Sequence, residues 1–399
     1  MLRWLVLDLN SFFASCEQQE NPALRGKPVI VVPAMVETTC AIAASYPAKA
    51  FGIKTGTLVH EARRLCPDVQ LVPAHHQLYV EYHHRILTAI DKHIPVEEVM
   101  SIDEVACRLD RKQQDPEVAQ KLAHSIKREI QAQVGECLTS SIGISANKLL
   151  AKMASDMQKP DGLTILPIEK MPGAILHLNM RAIPGIGPSM EERLQKSGIT
   201  DIATLWNTDA ARLRMIWGGV AGAKMHELLH GADIASPKTE RSSISHQHVL
   251  APEDRSIEGA APIVRQLLVR AAQRLRDDGF YCRRLFVEVK PLGRDRESWT
   301  DKRSFSETQD TGMLLHVLQD IWQTVPNLKP LRVGVALTGL AAQEKHQPDL
   351  FDKPKNAKLV RAIDEVNEKF GKGALIYGDA APDQTSKIAF QRVPKVKEF

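Results

Sequence analysis

Three acidic residues stand where apolar patterns break. The run Trp4-Leu-Val-Leu7 reads as a buried strand that ends in Asp8, and Asp103-Glu104 lies between two short apolar segments within residues 95–109. A carboxylate at the end of a core strand is costly to bury unpaired. A shared divalent cation removes that cost. Mg²⁺ is a hard ion that takes carboxylate oxygens and keeps positions for water or substrate phosphate. Three carboxylates can hold two such ions, which in phosphoryl transfer sit about 3.5–4 Å apart and stabilise the attacking and leaving oxygens. The same residues also read as a strand cap and a solvated turn, and taken alone they favour that plainer reading. Adjacent strand residues point to opposite faces, so Asp103 and Glu104 can serve one site only where the backbone bends.

Other residues have chemical uses beside ordinary ones. Phe12 and Phe13 are core aromatics by type, and Tyr46, Lys49 and Lys159 suit a triphosphate but as isolated residues read as surface. Ile183-Pro-Gly-Ile-Gly-Pro188 reads as a helix–helix turn, in which Gly185 and Gly187 would let backbone amides approach a phosphate. Arg283, Arg284, Arg294, Arg296, Arg303 and Arg332 fall on or beside strands, where a solvated charged face is the usual reading. His75, His76, His83 and His84 lack chelate spacing on a helix and read as surface or core.

The elements that position these residues follow from periodicity. A helix is expected over about 75–93 and another over 115–134, with a strand at 140–145 and a further helix from Asn147 that stops before the Lys159-Pro-Asp-Gly162 turn. This order predicts a β-α-β-β-α-β sheet from residues 1–10 plus 72–165, with 11–71 as an insertion. Residues 166–234 read as helical and 235–242 as a linker. Residues 243–342 repeat the first topology in miniature, ending in Leu331, Val333, Val335 and Leu337 alternating with polar or small residues, a sheet with one open face. Residues 343–399 form a polar tail with one amphipathic segment at 356–370. The fold class is therefore α+β and multi-domain.

Composition narrows the classes without choosing among them. The 399 residues are 43% hydrophobic and 25% charged, which excludes collagen-like and largely disordered chains. No apolar run approaches the ~20 residues of a membrane-spanning helix, and the first residues do not form a signal peptide. Six scattered cysteines without a CxxC pair read as free thiols of a cytoplasmic protein. The net charge is +4, and residues 241–345 carry 16 basic against 13 acidic residues.

Four motifs in order complete the picture: Asp8-Leu-Asn-Ser-Phe-Phe-Ala-Ser-Cys-Glu17, Ser101-Ile-Asp-Glu104, Gly143-Ile-Ser-Ala-Asn-Lys148 and Lys159-Pro-Asp-Gly162. Together they resemble the Y-family translesion DNA polymerases over nearly the whole chain. The resemblance implies a right-handed polymerase: a ferredoxin-like palm (1–10 and 72–165), small fingers (11–71), a helical thumb with a helix-hairpin-helix (166–234), a linker (235–242), a βαββαβ little finger (243–342) and a tail. It implies two Mg²⁺ ions held by Asp8, Asp103, Glu104 and the Leu9 carbonyl, with Phe13 as a steric gate against ribose and Phe12 beside it. Tyr46, Lys49 and Lys159 would contact the phosphates of the incoming deoxynucleoside triphosphate. The family pattern there is Tyr-x-x-Arg, whereas this chain has Tyr46-Pro-Ala-Lys49, and lysine cannot make the bidentate fork. Gly185 and Gly187 of the thumb and Arg283, Arg284, Arg303 and Arg332 of the little finger would grip primer-template DNA. Gln347-Pro-Asp-Leu350-Phe351 resembles a bacterial sliding-clamp peptide, and accessory mutagenesis or recombination proteins are further partners of the kind the family uses. The motifs SIDEVAC and ASCE, with Lys49, lean toward the UmuC-like branch. The implied activity is low-fidelity, lesion-bypassing DNA synthesis without proofreading. Its rivals are a catalytically silent DNA- and clamp-binding scaffold and, more remotely, a nucleotide cyclase.

Overall fold

The computed structural model describes residues 1–235, 241–293, 297–346, 357–370, 374, 375 and 377. They form two compact units, one within Met1–Ser236 and one within Pro237–Lys387. No helix among the described residues is long and apolar enough to cross a membrane.

The first unit runs β1 (Trp4–Leu9), α1 (Phe12–Glu20), β2 (Val29–Val32), β3 (Ala43–Ala44), α2 (Tyr46–Ala50), α3 (Val59–Leu65), β4 (Gln70–Pro73), α4 (His76–Asp91), β5 (Val96–Val99), β6 (Glu104–Arg108), α5 (Pro116–Gln133), β7 (Ser140–Ser145), α6 (Lys148–Met157) and β8 (Leu163–Leu166). Four short helices follow: α7 (Pro188–Lys196), α8 (Ile202–Trp206), α9 (Ala210–Trp217) and α10 (Val220–Leu229). The main sheet has the order β5-β6-β1-β7-β8, which places β1 at its centre with all six residues buried. Local chemistry sets the helix starts. Asp115 accepts from the N–H groups of Glu117 and Val118 at the head of α5, and Asn147 accepts from Leu150 N–H at the head of α6. β8, parallel to β7, adds a fifth strand to the four that the sequence pattern predicts. A separate small sheet, β3-β2-β4, holds the insertion. Its strand β4 runs across residue 72, where the sequence pattern suggested the insertion ends.

The helix α6 lies unusually close to the sheet. A Cβ on Gly143 of β7 would fall 2.0 Å from the Ala151 carbonyl oxygen and 2.3 Å from Ser155 N. Only glycine permits that approach.

The second unit runs β9 (Ser243–Val249), α11 (Ile257–Asp277), β10 (Phe280–Pro291), β11 (Trp299–Thr308), α12 (Thr311–Trp322), β12 (Pro330–Thr338), β13 (Ala341–Ala342) and α13 (Ala357–Phe370). The order of elements along the chain repeats that of the first unit, but the order in the sheet does not: it is β11-β10-β12-β9, with the first strand at an edge. Leu285, Val287, Val289, Val333, Val335 and Leu337 face α11 and α12, forming one core. The amphipathic segment near the C-terminus is not a free tail. Asp364 of α13 makes a bidentate pair with Arg276 at 2.7 and 2.8 Å, and Val360 is buried.

Candidate active site

β1 and β6 lie antiparallel with Asp8 opposite Glu104. Residues 101–103 bend before β6 begins, and Leu9 N–H donates to the Asp103 carbonyl at 2.8 Å. The bend releases Asp103 from strand alternation. Two side chains hold it: Ser101 Oγ donates to Asp103 Oδ1 at 2.5 Å, and the buried His83 donates from Nδ1 to the Ile102 carbonyl at 2.7 Å. Burial lowers the His83 pKa to about 4, so its ring is neutral at pH 7.

Two lysines meet these acids. Lys152 Nζ of α6 lies 2.5 Å from Asp8 Oδ2, 2.8 Å from Glu104 Oε1 and 3.1 Å from Asp156 Oδ2. Lys159 Nζ lies 2.6 Å from Asp8 Oδ1 and 2.7 Å from Asp156 Oδ1. Burial pushes the Asp8 carboxyl up, but the two ammoniums outweigh it and hold the group below its ordinary value. Asp103 and Glu104 remain raised, chiefly by burial, with the charge of Asp8 adding to it. Lys152 is not among the residues the sequence singles out. The signal present was its i,i+4 spacing to Asp156 on a helix that Gly143 draws against the sheet.

Asn10 was also missed. It is buried two residues after Asp8, donates to Ser141 Oγ at 2.9 Å and accepts from Asp161 N–H at 2.8 Å. The turn that carries Lys159 is thereby fastened to the strand that carries Asp8. Tyr46 and Lys49 share the short helix α2, with Lys49 Nζ 4.3 Å from the Tyr46 ring centroid. Burial lowers the Lys49 pKa, and repulsion from Lys159 lowers it further, so the two cations lie within each other's field.

The two phenylalanines part company. Phe12 is 3% exposed and belongs to the core. Phe13 is half-buried and stacks on Tyr79, with centroids 4.3 Å apart and planes at 15°. Tyr79 in turn donates its hydroxyl to buried Glu17 Oε1 at 2.5 Å, and His75 Nδ1 stands 2.9 Å from the same oxygen. The histidines near residues 75–84 thus serve packing and hydrogen bonding.

Away from the acids, Ile183 and Ile186 are buried while Gly185 and Gly187 are exposed, and Gly185 needs its φ of 94°. Gly187 caps α7 with open space around it. In the second unit, Arg284 pairs in register with Thr338 and Lys290 with Arg332, all four on the face opposite the buried valines. Arg332 is held 3.1 Å from both oxygens of Glu288 on that face. Arg303 does not join them. It stands opposite Leu285, whose side chain is buried, so it lies at the edge of the helix-covered face, 2.6 Å from Asp301. Arg283 sits at a bulge, ion-paired to Glu307. Gln347, Leu350 and Phe351 lie outside the described residues, as do Arg294 and Arg296.

The donor set fits a hard divalent ion: carboxylate oxygens at strand ends, two of the acids held reluctant to ionise by burial, and neutral His83 turned away to a carbonyl. Among the described residues no three acid, histidine or cysteine side chains form a ready cage. An ammonium, Lys152, occupies the gap between Asp8 and Glu104.

Comparison with known proteins bears on this arrangement directly. Residues 7–156 match the impB/mucB/samB family, and residues 241–350 match the C-terminal domain of that family. The chain is 38% identical over 394 residues to DNA polymerase IV of Moorella thermoacetica, covering 93% of this chain and 94% of that one. The chain belongs to the Y-family DNA polymerases. A Y-family polymerase chimera, Dbh-Dpo4(243-245)-Dbh, superposes with a TM-score of 0.73 at 25% identity, covering 85% of this chain and 99% of that one. DNA polymerase IV 1 of Bacillus subtilis is 28% identical, covering 96% of this chain and 94% of the other. This Y-family polymerase is accordingly a DNA-directed translesion DNA polymerase that depends on divalent metal and acts on DNA and deoxynucleotides. Its relatives carry the name DNA polymerase IV, which makes it DinB-like and corrects the lean toward the UmuC-like branch. Lys49 and the short motifs were too local to decide between branches.

Proposed function

We propose that Asp8, Asp103 and Glu104, with the Leu9 carbonyl, hold two Mg²⁺ ions at the end of β1. One observation carries the reading: buried Asp8 faces Glu104 across two central strands, with Asp103 on the adjoining bend and two lysines, Lys152 and Lys159, converging on them. Mg²⁺ bound there would supply Lewis-acid activation of the primer 3′-hydroxyl and neutralise charge on the departing pyrophosphate. The chain's own residues do the rest. Lys159, Lys49 and Tyr46 take the triphosphate, Lys159 from a turn fixed to β1 by Asn10. The Phe13 ring, backed by Tyr79, lies beneath the sugar and leaves no room for a 2′-hydroxyl, so ribonucleotides are refused by clash.

In this reading residues 1–10 and 72–165 are the palm, 11–71 the fingers, 166–234 the thumb, 235–242 a linker and 243–342 the little finger. Gly185 and Gly187 offer backbone to the DNA phosphates. Arg284, Lys290 and Arg332 supply sequence-independent contacts from the open sheet face, where Arg332 must exchange Glu288 for phosphate. Gln347, Leu350 and Phe351 tether the enzyme to a bacterial sliding clamp, raising its local concentration on DNA. Accessory mutagenesis or recombination proteins would meet the enzyme in the cytoplasm. All three acids are present, which argues against a silent scaffold, and nothing in a cyclase would require the hairpin at 183–188.

Primer extension tests the assignment. Asp103→Ala should abolish extension while duplex binding stays within about twofold of the parent; extension that survives the change removes Asp103 from the metal site.

A further inference from the structure

The acid site holds its own cation. Both oxygens of Asp8 are engaged by ammoniums, Oδ2 by Lys152 and Oδ1 by Lys159, and Lys152 also reaches Glu104. Its side chain is 15% exposed, so solvent does little to replace it as counter-ion. Without it, Asp8 and Glu104 would face each other across the strand pair, and like charges so placed repel. A divalent ion that takes oxygens from both acids must occupy the ground Lys152 now holds. The lysine has somewhere to go. Asp156 lies one turn further along α6, its Oδ2 already 3.1 Å from Lys152 Nζ, and its side chain is 38% exposed. A small swing of a flexible four-carbon stem exchanges three carboxylate partners for one.

We propose that Lys152 is the resident counter-ion of the acid site, standing between Asp8 and Glu104 until a divalent cation displaces it, and that Asp156 receives the displaced ammonium. This rests on the reading of Asp8 and Glu104 as metal ligands. Lys152 then does two things. It keeps the buried acids tolerable in the metal-free enzyme, and it sets a threshold that a cation must overcome to bind. A stray monovalent ion, carrying no more charge than the ammonium and lacking its tether, cannot win that exchange, whereas a divalent ion doubles the charge between the two acids.

The test is metal binding to the full-length protein without DNA or nucleotide, measured by calorimetric titration with Mg²⁺, together with thermal unfolding in EDTA and in Mg²⁺. Lys152→Met keeps the stem and removes the charge. It should bind Mg²⁺ at least about tenfold more tightly than the parent, since the competitor is gone. It should also unfold at a lower temperature in EDTA and recover most of the difference in Mg²⁺, while the parent shifts little between the two. Asp156→Asn should weaken Mg²⁺ binding severalfold by removing the receiving carboxylate. Lys148→Met, which changes a lysine of the same helix paired instead with Glu98, should leave Mg²⁺ binding as in the parent. Unchanged or weaker Mg²⁺ binding by Lys152→Met overturns the proposal, as does a variant that stays unfolded in Mg²⁺. Asp8→Asn separates the two levels of inference. If it abolishes Mg²⁺ binding while Lys152→Met behaves as the parent, the counter-ion role alone fails; if it binds Mg²⁺ normally, the assignment of the metal ligands fails with it.

Discussion

Gly143→Ala would probe whether the seating of α6 controls the acid site. The added methyl would stand 2.0 Å from the Ala151 carbonyl oxygen, 2.3 Å from Ser155 N and 2.8 Å from Ala154 C, all backbone atoms of one helix. Ordinary contact is about 3.5 Å, so α6 must withdraw by about 1.5 Å or β7 must buckle. Overpacking of this kind costs about 1–3 kcal/mol. For a unit of this size that is a fall of roughly 3–10 °C in unfolding temperature. The functional effect should exceed the stability effect. α6 carries Lys152, now 2.5 Å from Asp8, and leads directly into the turn of Lys159. A misplacement of about 1 Å at a reacting centre can cost about a hundredfold in rate. We expect single-nucleotide incorporation by Gly143→Ala to drop at least about tenfold in kcat at a temperature where far-ultraviolet circular dichroism shows the protein folded. A variant that unfolds within about 1 °C of the parent and extends primers within about twofold would refute the argument, because the close approach would then bear neither load.

Three further outcomes follow from the same geometry. Phe13→Ala should admit ribonucleotides, read as the ratio of kcat/KM for a deoxynucleotide and its ribonucleotide; an unchanged ratio would show that the ring only packs against Tyr79. Burial holds the Asp103 carboxyl above its ordinary value, with Asp8 adding to the shift. A raised value favours the protonated form in the folded state, so stability from this group is present at low pH and lost as pH rises through the folded value. At pH 7 in EDTA, Asp103→Asn should therefore raise the unfolding temperature while extension disappears, and a lower unfolding temperature would count against the burial argument. Replacing Arg284, Lys290 and Arg332 together by alanine should reduce the slope of log binding constant against log salt by about three, at about 0.9 per phosphate contact. Arg303→Ala, on the other face, should leave that slope alone.

Much of this was readable because it is local. The break at Asp8, the bend required between Asp103 and Glu104 and the alternation of β12 are all written in neighbouring residues. The bend needed His83 to buttress it, and that contact joins residues 19 apart in sequence. Lys152 illustrates the limit better. Within α6 it is an ordinary helix lysine, and its role arises from Asp8, 144 residues away. Glu17 behaves likewise, its buried carboxyl explained by Tyr79 and His75, far along the chain. The second sheet shows the same boundary at the level of topology. Residues 243–342 announce strands and helices in order, but nothing local says that β9 takes an edge while β1 takes the centre, since strand partners are chosen by packing over the whole unit. Arg303 shows the same limit: its face depends on register with Leu285, which the sequence alone does not set.

The bond from Asp161 N–H to Asn10 has a mechanical meaning. Asp8, Asn10, the Lys159 turn and α6 are joined in one frame, so Lys159 and the acids shift together rather than independently. Tyr46 and Lys49 ride instead on α2, beside the small β3-β2-β4 sheet, which shares no strand with that frame. In the proposed assignment the hold on the triphosphate is therefore divided, one part tied to the acids through Lys159 and one part carried by α2 on a separate sheet.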